Sequence, residues 1–123
     1  MFAELDVVIV RALLVPTRSV DGSDGRCRQP RIGDQGTIVH VLDADAFVVE
    51  SVDASGYTIW LADFRRDELA IPPKAWRFVS EEVSPGVYRA TGHGPRGLHV
   101  QSTDSNLEIA IADCRAFALR FPE

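Results

Sequence analysis

Short apolar runs separated by turn residues fill the first 70 positions of the chain. Four runs are rich in Val, Ile and Leu: residues 5–15, 35–42, 46–52 and 57–62. Pro16 ends the first run, and turns rich in Asp, Ala, Ser and Gly separate the last three, at residues 43–45 and 53–56. Short β-branched runs joined by close turns are typical of an antiparallel meander or a small barrel. We therefore expect a curved antiparallel barrel over residues 5–70.

The motif Gly33-Asp34-Gln35-Gly36 leads directly into the second run. Glycine accepts the positive φ angles of tight turns, so this pair indicates a sharp reversal immediately before a strand. A small barrel needs such an entry, because its short strands bend around a narrow core. Residues 17–32 just before it predict a surface loop, with a partner-contact loop as the alternative. The loop's basic residues are Arg18, Arg26, Arg28 and Arg31.

The rest of the chain predicts a last barrel strand, three more strands and a helix. Residues 63–69 indicate a brief helical turn, and a last short strand follows and ends at Pro72-Pro73, the strongest internal boundary. Extended stretches follow at residues 76–83, 87–91 and 98–102, with a glycine-rich hairpin tip at 92–97. The predicted fold class is α+β, mostly β. A barrel occupies residues 1–71, and residues 72–123 either pack on it or form a small second module.

A helix is predicted over residues 105–120. Ser105 and Glu108 have the spacing of a capping box, and Asp104 stands next to the positive end of the helix. Apolar residues recur at three-and-four spacing and predict one buried stripe. The stripe consists of Leu107, Ala110, Ile111, Cys114, Phe117, Ala118 and Phe121. Cys114 is therefore expected in the core.

Charge is distributed unevenly along the chain. The net charge is −5, and residues 1–70 hold 12 acids against 7 bases, whereas residues 71–123 hold 6 of each. An acidic first half disfavours DNA or RNA as a partner, since their backbones require a basic surface. It suits a basic protein partner. The first apolar run is too short to span a bilayer, and acids stand where a secretion signal carries Lys or Arg. The interpretation is a cytoplasmic protein with no membrane partner.

Two sets of side chains are candidates for binding. Aromatic residues could form an exposed peptide groove, although for the two tryptophans the barrel core is favoured: Tyr57, Trp60, Phe64 and Trp76. Acids cluster around the turns and are either solvated turn residues or an acidic rim for a basic partner. The acids are Asp43, Asp45, Asp53, Asp63, Asp67 and Glu68.

The residues that could support catalysis or bind metal are few and scattered. Cys27 and Cys114 form no CxxC pair, and Cys27 lies in the predicted loop without an oxyanion turn. His40 falls within a predicted strand, while His93 and His99 flank the hairpin tip without further ligands nearby. The glycines lie between strands rather than before a helix, so no phosphate loop or dinucleotide fingerprint is present. We expect no enzyme activity, no metal and no cofactor.

Four segments of the first half form a recognisable pattern that ends near Leu69: Leu5-Asp6-Val7-Val8, residues 33–39, Val48-Val49-Glu50-Ser51-Val52 and Gly56-Tyr57-Thr58. On these segments the first half resembles a family of small bacterial proteins catalogued as domain of unknown function 4926. The resemblance implies an SH3-like barrel, and members of the family often occur beside toxin–antitoxin or polymorphic-toxin immunity genes. A loop longer than expected at residues 17–32, and Tyr57 in place of an arginine, depart from the family pattern.

These observations favour a non-catalytic binding protein. The expected function is that of an immunity protein or antitoxin that neutralises a cognate basic toxin, such as a nuclease, by direct binding. Its expected contact residues are Asp43, Asp45, Asp53, Tyr57, Asp63, Asp67 and Glu68. The alternative is an SH3-like adaptor or regulatory subunit that binds another protein.

Overall fold

The computed structural model describes residues 2–22, 25 and 27–121. The described residues form eight strands in two antiparallel sheets and one α-helix near the C-terminus, which confirms the predicted, mostly β fold class. The chain divides into two compact units. Unit 1 comprises Met1–Pro30 and Gln35–Pro72, and unit 2 comprises Arg31–Asp34 and Pro73–Glu123.

Unit 1 contains a five-stranded sheet that curls into a half-barrel. Its strands are β1 (Val7–Val10), β2 (Gln35–Asp43), β3 (Ala46–Val52), β4 (Thr58–Arg65) and β5 (Leu69–Ala70). Their order across the sheet is β4-β3-β2-β1-β5, and every neighbouring pair is antiparallel. Register shifts interrupt the β2–β3 pairing twice and the β3–β4 pairing once. Such bulges bend the strands and increase their twist, which gives the sheet its curl.

The core of unit 1 follows the alternation of side chains along the strands. In β3, Phe47 and Val49 are buried while their neighbours are only partly buried. Trp60 is fully buried, and its ring centroid lies 5.1 Å from that of Phe64. The strand period of two places these large side chains on the concave face of the sheet, where they exclude water.

Two predicted boundaries in unit 1 differ from the structure. The first strand covers only Val7–Val10, not residues 5–15, because the chain turns away and Arg11 and Ala12 donate their N–H groups to the Glu68 carbonyl. Strand β4 continues to Arg65, so the turn predicted over residues 63–69 is restricted to a 3-10 turn at Arg66–Glu68.

Of the two glycines in the Gly33–Gly36 motif, Gly33 has the predicted positive φ, whereas Gly36 lies inside β2 and has none. Gly33 adopts a φ of +96° in a turn that the Asp34 N–H closes on the Arg31 carbonyl at 3.0 Å. Gly36 lies in β2 against β3, where an added Cβ would be 2.6 Å from Cγ1 of Val49. Glycine is needed at the first position for its backbone angle and at the second for close strand approach.

Unit 2 contains a three-stranded sheet covered on one face by a helix. The strands are β6 (Arg77–Ser84), β7 (Val87–His93) and β8 (His99–Asp104), in the order β6-β7-β8, and the helix is α1 (Leu107–Ala118). Its small core combines Ala90 of β7 with Ala110 and Cys114 of α1. Phe78 and Val100 of the outer strands pack against the same core, so these residues mark the helix-covered face. The expected core position of Cys114 is confirmed.

The beginning of α1 and its buried stripe both differ from prediction. The N-cap is Asn106, whose Oδ1 accepts the Ile109 N–H at 3.1 Å, so the Ser105–Glu108 capping box was wrong. Asn and Ser are comparable N-caps, and here Oδ1 of Asp104 orients Asn106 by accepting its N–H at 2.8 Å.

The buried side of α1 is narrower than the predicted stripe and is formed by small residues. Its fully buried residues are Ala110, Ala112, Cys114 and Ala118. Leu107, Ile111 and Phe117 are only half-buried, and Phe121 is exposed. Ala112, outside the predicted stripe, is buried because the Gly33 backbone packs directly on it.

Candidate functional site

Four of the predicted acidic residues lie together at one end of the sheet in unit 1. Asp43 and Asp45 belong to the β2–β3 turn, Asp63 lies near the end of β4, and Asp67 is in the 3-10 turn that follows. All four side chains are exposed. We call Asp43, Asp45, Asp63 and Asp67 the acidic end. Antiparallel pairing brings these residues together, because Ala46 at the start of β3 is opposite Arg65 at the end of β4.

Hydrogen bonds hold the backbone of the acidic end. Oδ1 of Asp43 accepts the Asp45 N–H at 2.7 Å, which is the usual way that an aspartate closes a tight turn. The Arg66 N–H donates to the Asp45 carbonyl at 2.9 Å, and Nη2 of Arg66 lies 3.3 Å from Oδ1 of Asp45. The turn is thereby joined to the segment after β4. Arg65 and Arg66 are also exposed here, so the four aspartates outnumber the arginines by two.

Asp53 and Tyr57 lie at the other end of the same strands. Oδ1 of Asp53 accepts the N–H groups of Ser55 and Tyr57 at 2.9 and 3.0 Å and so closes the β3–β4 turn. The six steps along β3 from Ala46 to Val52 separate this turn from the acidic end by about 20 Å. The predicted contact residues therefore form two groups. A single small contact would reach only one of them.

Glu68 does not belong to the exposed rim in which the sequence placed it. Its side chain is 2% exposed and forms a buried ion pair with Arg18. Oε1 accepts the Arg65 N–H and Oε2 accepts the Leu14 N–H, each at 2.9 Å. The carboxylate therefore tethers the segment after β1 to the end of β4. Burial raises the pKa of Glu68, but hydrogen bonds from Arg18, Arg65 and Leu14, with the charge of Arg18, outweigh it and hold that pKa below its ordinary value.

The exposed aromatic groove considered from the sequence is not formed by the predicted residues. Trp60 and Phe64 are in the core of unit 1, and Trp76 is buried in unit 2. The barrel-core position favoured for both tryptophans is thus confirmed for Trp60 and wrong for Trp76, whose ring packs against Phe78 and Phe121 of unit 2. Of the four aromatic residues, only Tyr57 is exposed, at 49%. The large rings of Trp60 and Phe64 stabilise the curled sheet far more when buried than they could at its surface.

Described residues of the segment predicted as a surface loop bind to the outer edge of β4. Asp21 and Leu61 exchange backbone hydrogen bonds of 3.0 and 2.7 Å, and the Arg28 N–H donates to the Ile59 carbonyl at 3.2 Å. Nη1 of Arg18 donates to the Asp63 carbonyl at 2.8 Å. This role was missed because irregular segments that pair with a strand edge lack hydrophobic periodicity. The residues Ser23, Asp24 and Arg26 of the loop lie outside the described residues.

The reactive groups occupy separate places. Cys114 is buried, and burial raises its thiol pKa to about 11, whereas Cys27 is exposed. His40 is exposed on β2, 3.8 Å from a Glu4 oxygen. His93 and His99 are directly opposite each other in β7 and β8, on the two sides of the hairpin tip. Within residues 2–22, 25 and 27–121, no group of three potential metal ligands comes together.

Among the described residues, no helix has the length and apolar character to cross a membrane. No curated protein and no solved structure gives a significant match to the chain. One family does match, over residues 4–71, and these residues include all five strands of unit 1 and the Gly33–Gly36 motif. The match covers more than half of the chain. The chain therefore belongs to the family described as Domain of unknown function (DUF4926).

Proposed function

We propose that this protein is a non-catalytic binding protein of the cytoplasm that neutralises a cognate basic toxin by occluding its active surface. The observation that carries the proposal is the acidic end, where four exposed acidic residues from the β2–β3 turn, the end of β4 and the 3-10 turn after it share one end of the sheet. A nuclease toxin has a positive active surface, because it binds nucleic acid. Complementary potentials accelerate the encounter of two such proteins and exclude partners of like charge.

The acidic end suits this role because its backbone is held in place before binding. The hydrogen bonds of Asp43 and Arg66 hold the turn. The hydrophobic core around Trp60 stabilises the sheet to which the turn belongs. Pre-organised contact groups lose less conformational entropy on binding than mobile ones do. In the complex, Arg66 would remain paired with Asp45, which leaves Asp43, Asp63 and Asp67 to face the partner.

A second candidate function is that of an adaptor that binds a peptide at the opposite end of the strands. Tyr57 and Val52 are both about half exposed and lie beside the Asp53 turn. An exposed tyrosine next to a carboxylate offers apolar contact and a hydrogen bond to an extended peptide. This contact would be independent of the acidic end.

The first test is co-expression with the toxin encoded beside the gene, followed by binding kinetics. We expect rescue of growth by the wild-type protein. Asp63→Asn with Asp67→Asn removes two charges from the acidic end and should slow association by about threefold to tenfold at low salt, with a smaller effect at high salt. The matched control is Glu50→Gln with Asp53→Asn. It removes two charges near the other end and retains the oxygen acceptors used by Thr58, Ser55 and Tyr57.

The outcomes separate the hypotheses. Absence of rescue rejects the immunity function. Rescue with equal slowing by both double variants would show that only net charge matters and would contradict a contact at the acidic end. Slowing by the Glu50/Asp53 pair alone, together with loss of binding in Tyr57→Ala, would favour the adaptor surface.

A further inference from the structure

Strand β6 forms an open edge of the sheet in unit 2. Within the described part of the chain its only strand partner is β7, and seven of its eight residues are exposed. Natural proteins usually protect such edges with charged residues, Pro, a bulge or a covering segment, as Asp21 and Arg28 do by hydrogen-bonding to the edge of β4. The β6 sequence, RFVSEEVS, contains no Pro, and its one register shift lies at its end, between Glu82 and Ser84. Its charges are of both signs, and Val79 between them is 46% exposed.

The direction of the free hydrogen-bonding groups of β6 follows from the hairpin beside it. The Gly94 N–H donates to the Leu98 carbonyl, so the backbone of residue 94 faces β8. Backbone groups alternate in direction along a strand, and residues 93, 91 and 89 of β7 therefore face β6. Their partners in the register are Arg77, Val79 and Glu81. The backbone N–H and C=O groups of Phe78, Ser80 and Glu82 therefore point away from β7, toward the open edge.

The side chains of β6 alternate between the two faces of the sheet. Phe78 points to the helix-covered face, so Arg77, Val79 and Glu81 lie in a row on the open face. This row has a positive residue, an apolar residue and a negative residue at equal spacing. Glu81 also lies 3.8 Å from Arg89 of β7, a contact that is exposed and weak.

We propose that β6 pairs with β6 of a second copy of this chain, antiparallel and with Val79 on the two-fold axis. A two-fold axis perpendicular to the sheet keeps both open faces on the same side, so each residue is opposite one on its own face. With Val79 opposite itself, Arg77 of each copy is opposite Glu81 of the other. Phe78 is opposite Ser80, and both direct their backbone groups outward, as a hydrogen-bonded pair requires.

The charged side chains favour the register centred on Val79 over registers centred on nearby residues. Centring the axis on Glu81 would set two glutamates directly opposite each other, which is unfavourable. Centring it on Ser80 would set Val79 opposite Glu81 and leave Arg77 without an acidic partner. The Val79 register alone forms two opposite-charge pairs and one apolar pair. It extends the sheet to six strands with the helix-covered faces on one side.

Sedimentation velocity of the full chain from about 10 µM to about 500 µM tests the proposal, because pairing through one strand buries less than a standard interface and is weak. We expect the mass to rise toward twice that of the monomer. Ser80→Pro removes an outward N–H without breaking a bond to β7 and should abolish the rise, whereas Ser80→Thr should retain it. Arg77→Glu and Glu81→Arg should each abolish it, and the double exchange should restore it.

Engineered disulfides test the proposed β6–β6 register independently of the oligomeric mass. In a Cys27→Ser background, Val79→Cys should form a covalent dimer under mild oxidation, because a non-hydrogen-bonded pair holds its Cα atoms about 4.5 Å apart. Ser84→Cys should not, since the proposed register separates its two copies by about 34 Å. A monomer throughout the concentration range would overturn the proposal. A dimer that survives Ser80→Pro, or one that cross-links equally at positions 79 and 84, would overturn it as well.

Discussion

Arg18 and Glu68 are fifty residues apart in the sequence and form a buried ion pair beside β4. The guanidinium also donates to the Asp63 carbonyl and lies 4.3 Å from the centroid of the Phe64 ring. Arg18 therefore joins the segment after β1 to the end of β4 by charge, by hydrogen bonds and by ring contact. The pair connects two segments that no hydrophobic pattern associates.

Removing the arginine should destabilise the protein strongly. Arg18→Met leaves the Glu68 carboxylate buried without its cation, which costs about 3–5 kcal/mol in comparable pairs. Urea unfolding followed by tryptophan fluorescence measures the change, since Trp60 lies in the same core. Arg66→Met is the control, because its ion pair with Asp45 is exposed and should contribute less than about 1 kcal/mol. Equal losses from the two variants would contradict the role assigned to Arg18.

Stability should fall in acid because of Glu68. The pKa of its carboxylate is lower in the folded protein than in the unfolded chain, so the stabilisation is complete above the ordinary glutamate value of 4.5. It is lost as the pH falls from that value through the lower pKa of the folded state. Glu68→Gln removes the titrating group, and its free energy of unfolding should therefore decline less steeply over this range. Parallel pH profiles for wild type and Glu68→Gln would show that other carboxylates cause the acid loss.

Gly33→Ala should be among the most damaging substitutions in unit 2. The new Cβ would lie 1.8 Å from the Ala112 carbonyl oxygen, and the φ of +96° is unfavourable for any side chain. Because the obstacle is helix backbone, we expect a loss of at least about 3 kcal/mol. Gly86→Ala is the matched control, with a φ of +72° and open space around it, and should cost about 1 kcal/mol. Thermal unfolding monitored by the helical circular dichroism signal distinguishes the two.

The two cysteines should differ greatly in reactivity. Burial raises the pKa of Cys114 to about 11, and its Sγ lies 3.6 Å from the Val100 carbonyl, whereas Cys27 is exposed. Ellman's reagent should modify one thiol quickly and the other at least about 100-fold more slowly, because the thiolate is the nucleophile. Cys27→Ser should remove the fast phase and Cys114→Ser the slow one. Two equally fast phases in the native protein would contradict the buried position of Cys114.

The strands could be predicted from the sequence where alternation and turns act together. The predicted third run coincides with β3, Ala46–Val52, because a mostly apolar run lies there between two close turns that begin at Asp43 and Asp53. The first strand was too long, since Leu13 and Val15 look like strand residues although the chain turns after Val10 toward Glu68. The composition of residues 5–15 does not predict that the chain turns after Val10, because the turn depends on hydrogen bonds to Glu68.

The candidate site was harder to predict than the fold. Charged residues near turns are usually exposed, which holds for Asp43 and Asp67 but not for Glu68. Its burial depends on Arg18, and single-sequence patterns carry no information about a partner fifty residues away. The division of the acids between two ends required the β3–β4 register, which places Ala46 opposite Arg65 and Val52 opposite Thr58.

The four residues Arg31–Asp34 group with the strands and helix that follow Pro73, while their neighbours on both sides in the sequence group with the half-barrel. A single cut therefore cannot excise either unit whole. A fragment ending at Pro72 would retain β1 to β5 but deprive Gly33 of the helix surface on which it packs. The family segment, residues 4–71, and the two compact units have different boundaries, so a truncation designed on the family segment would divide unit 2.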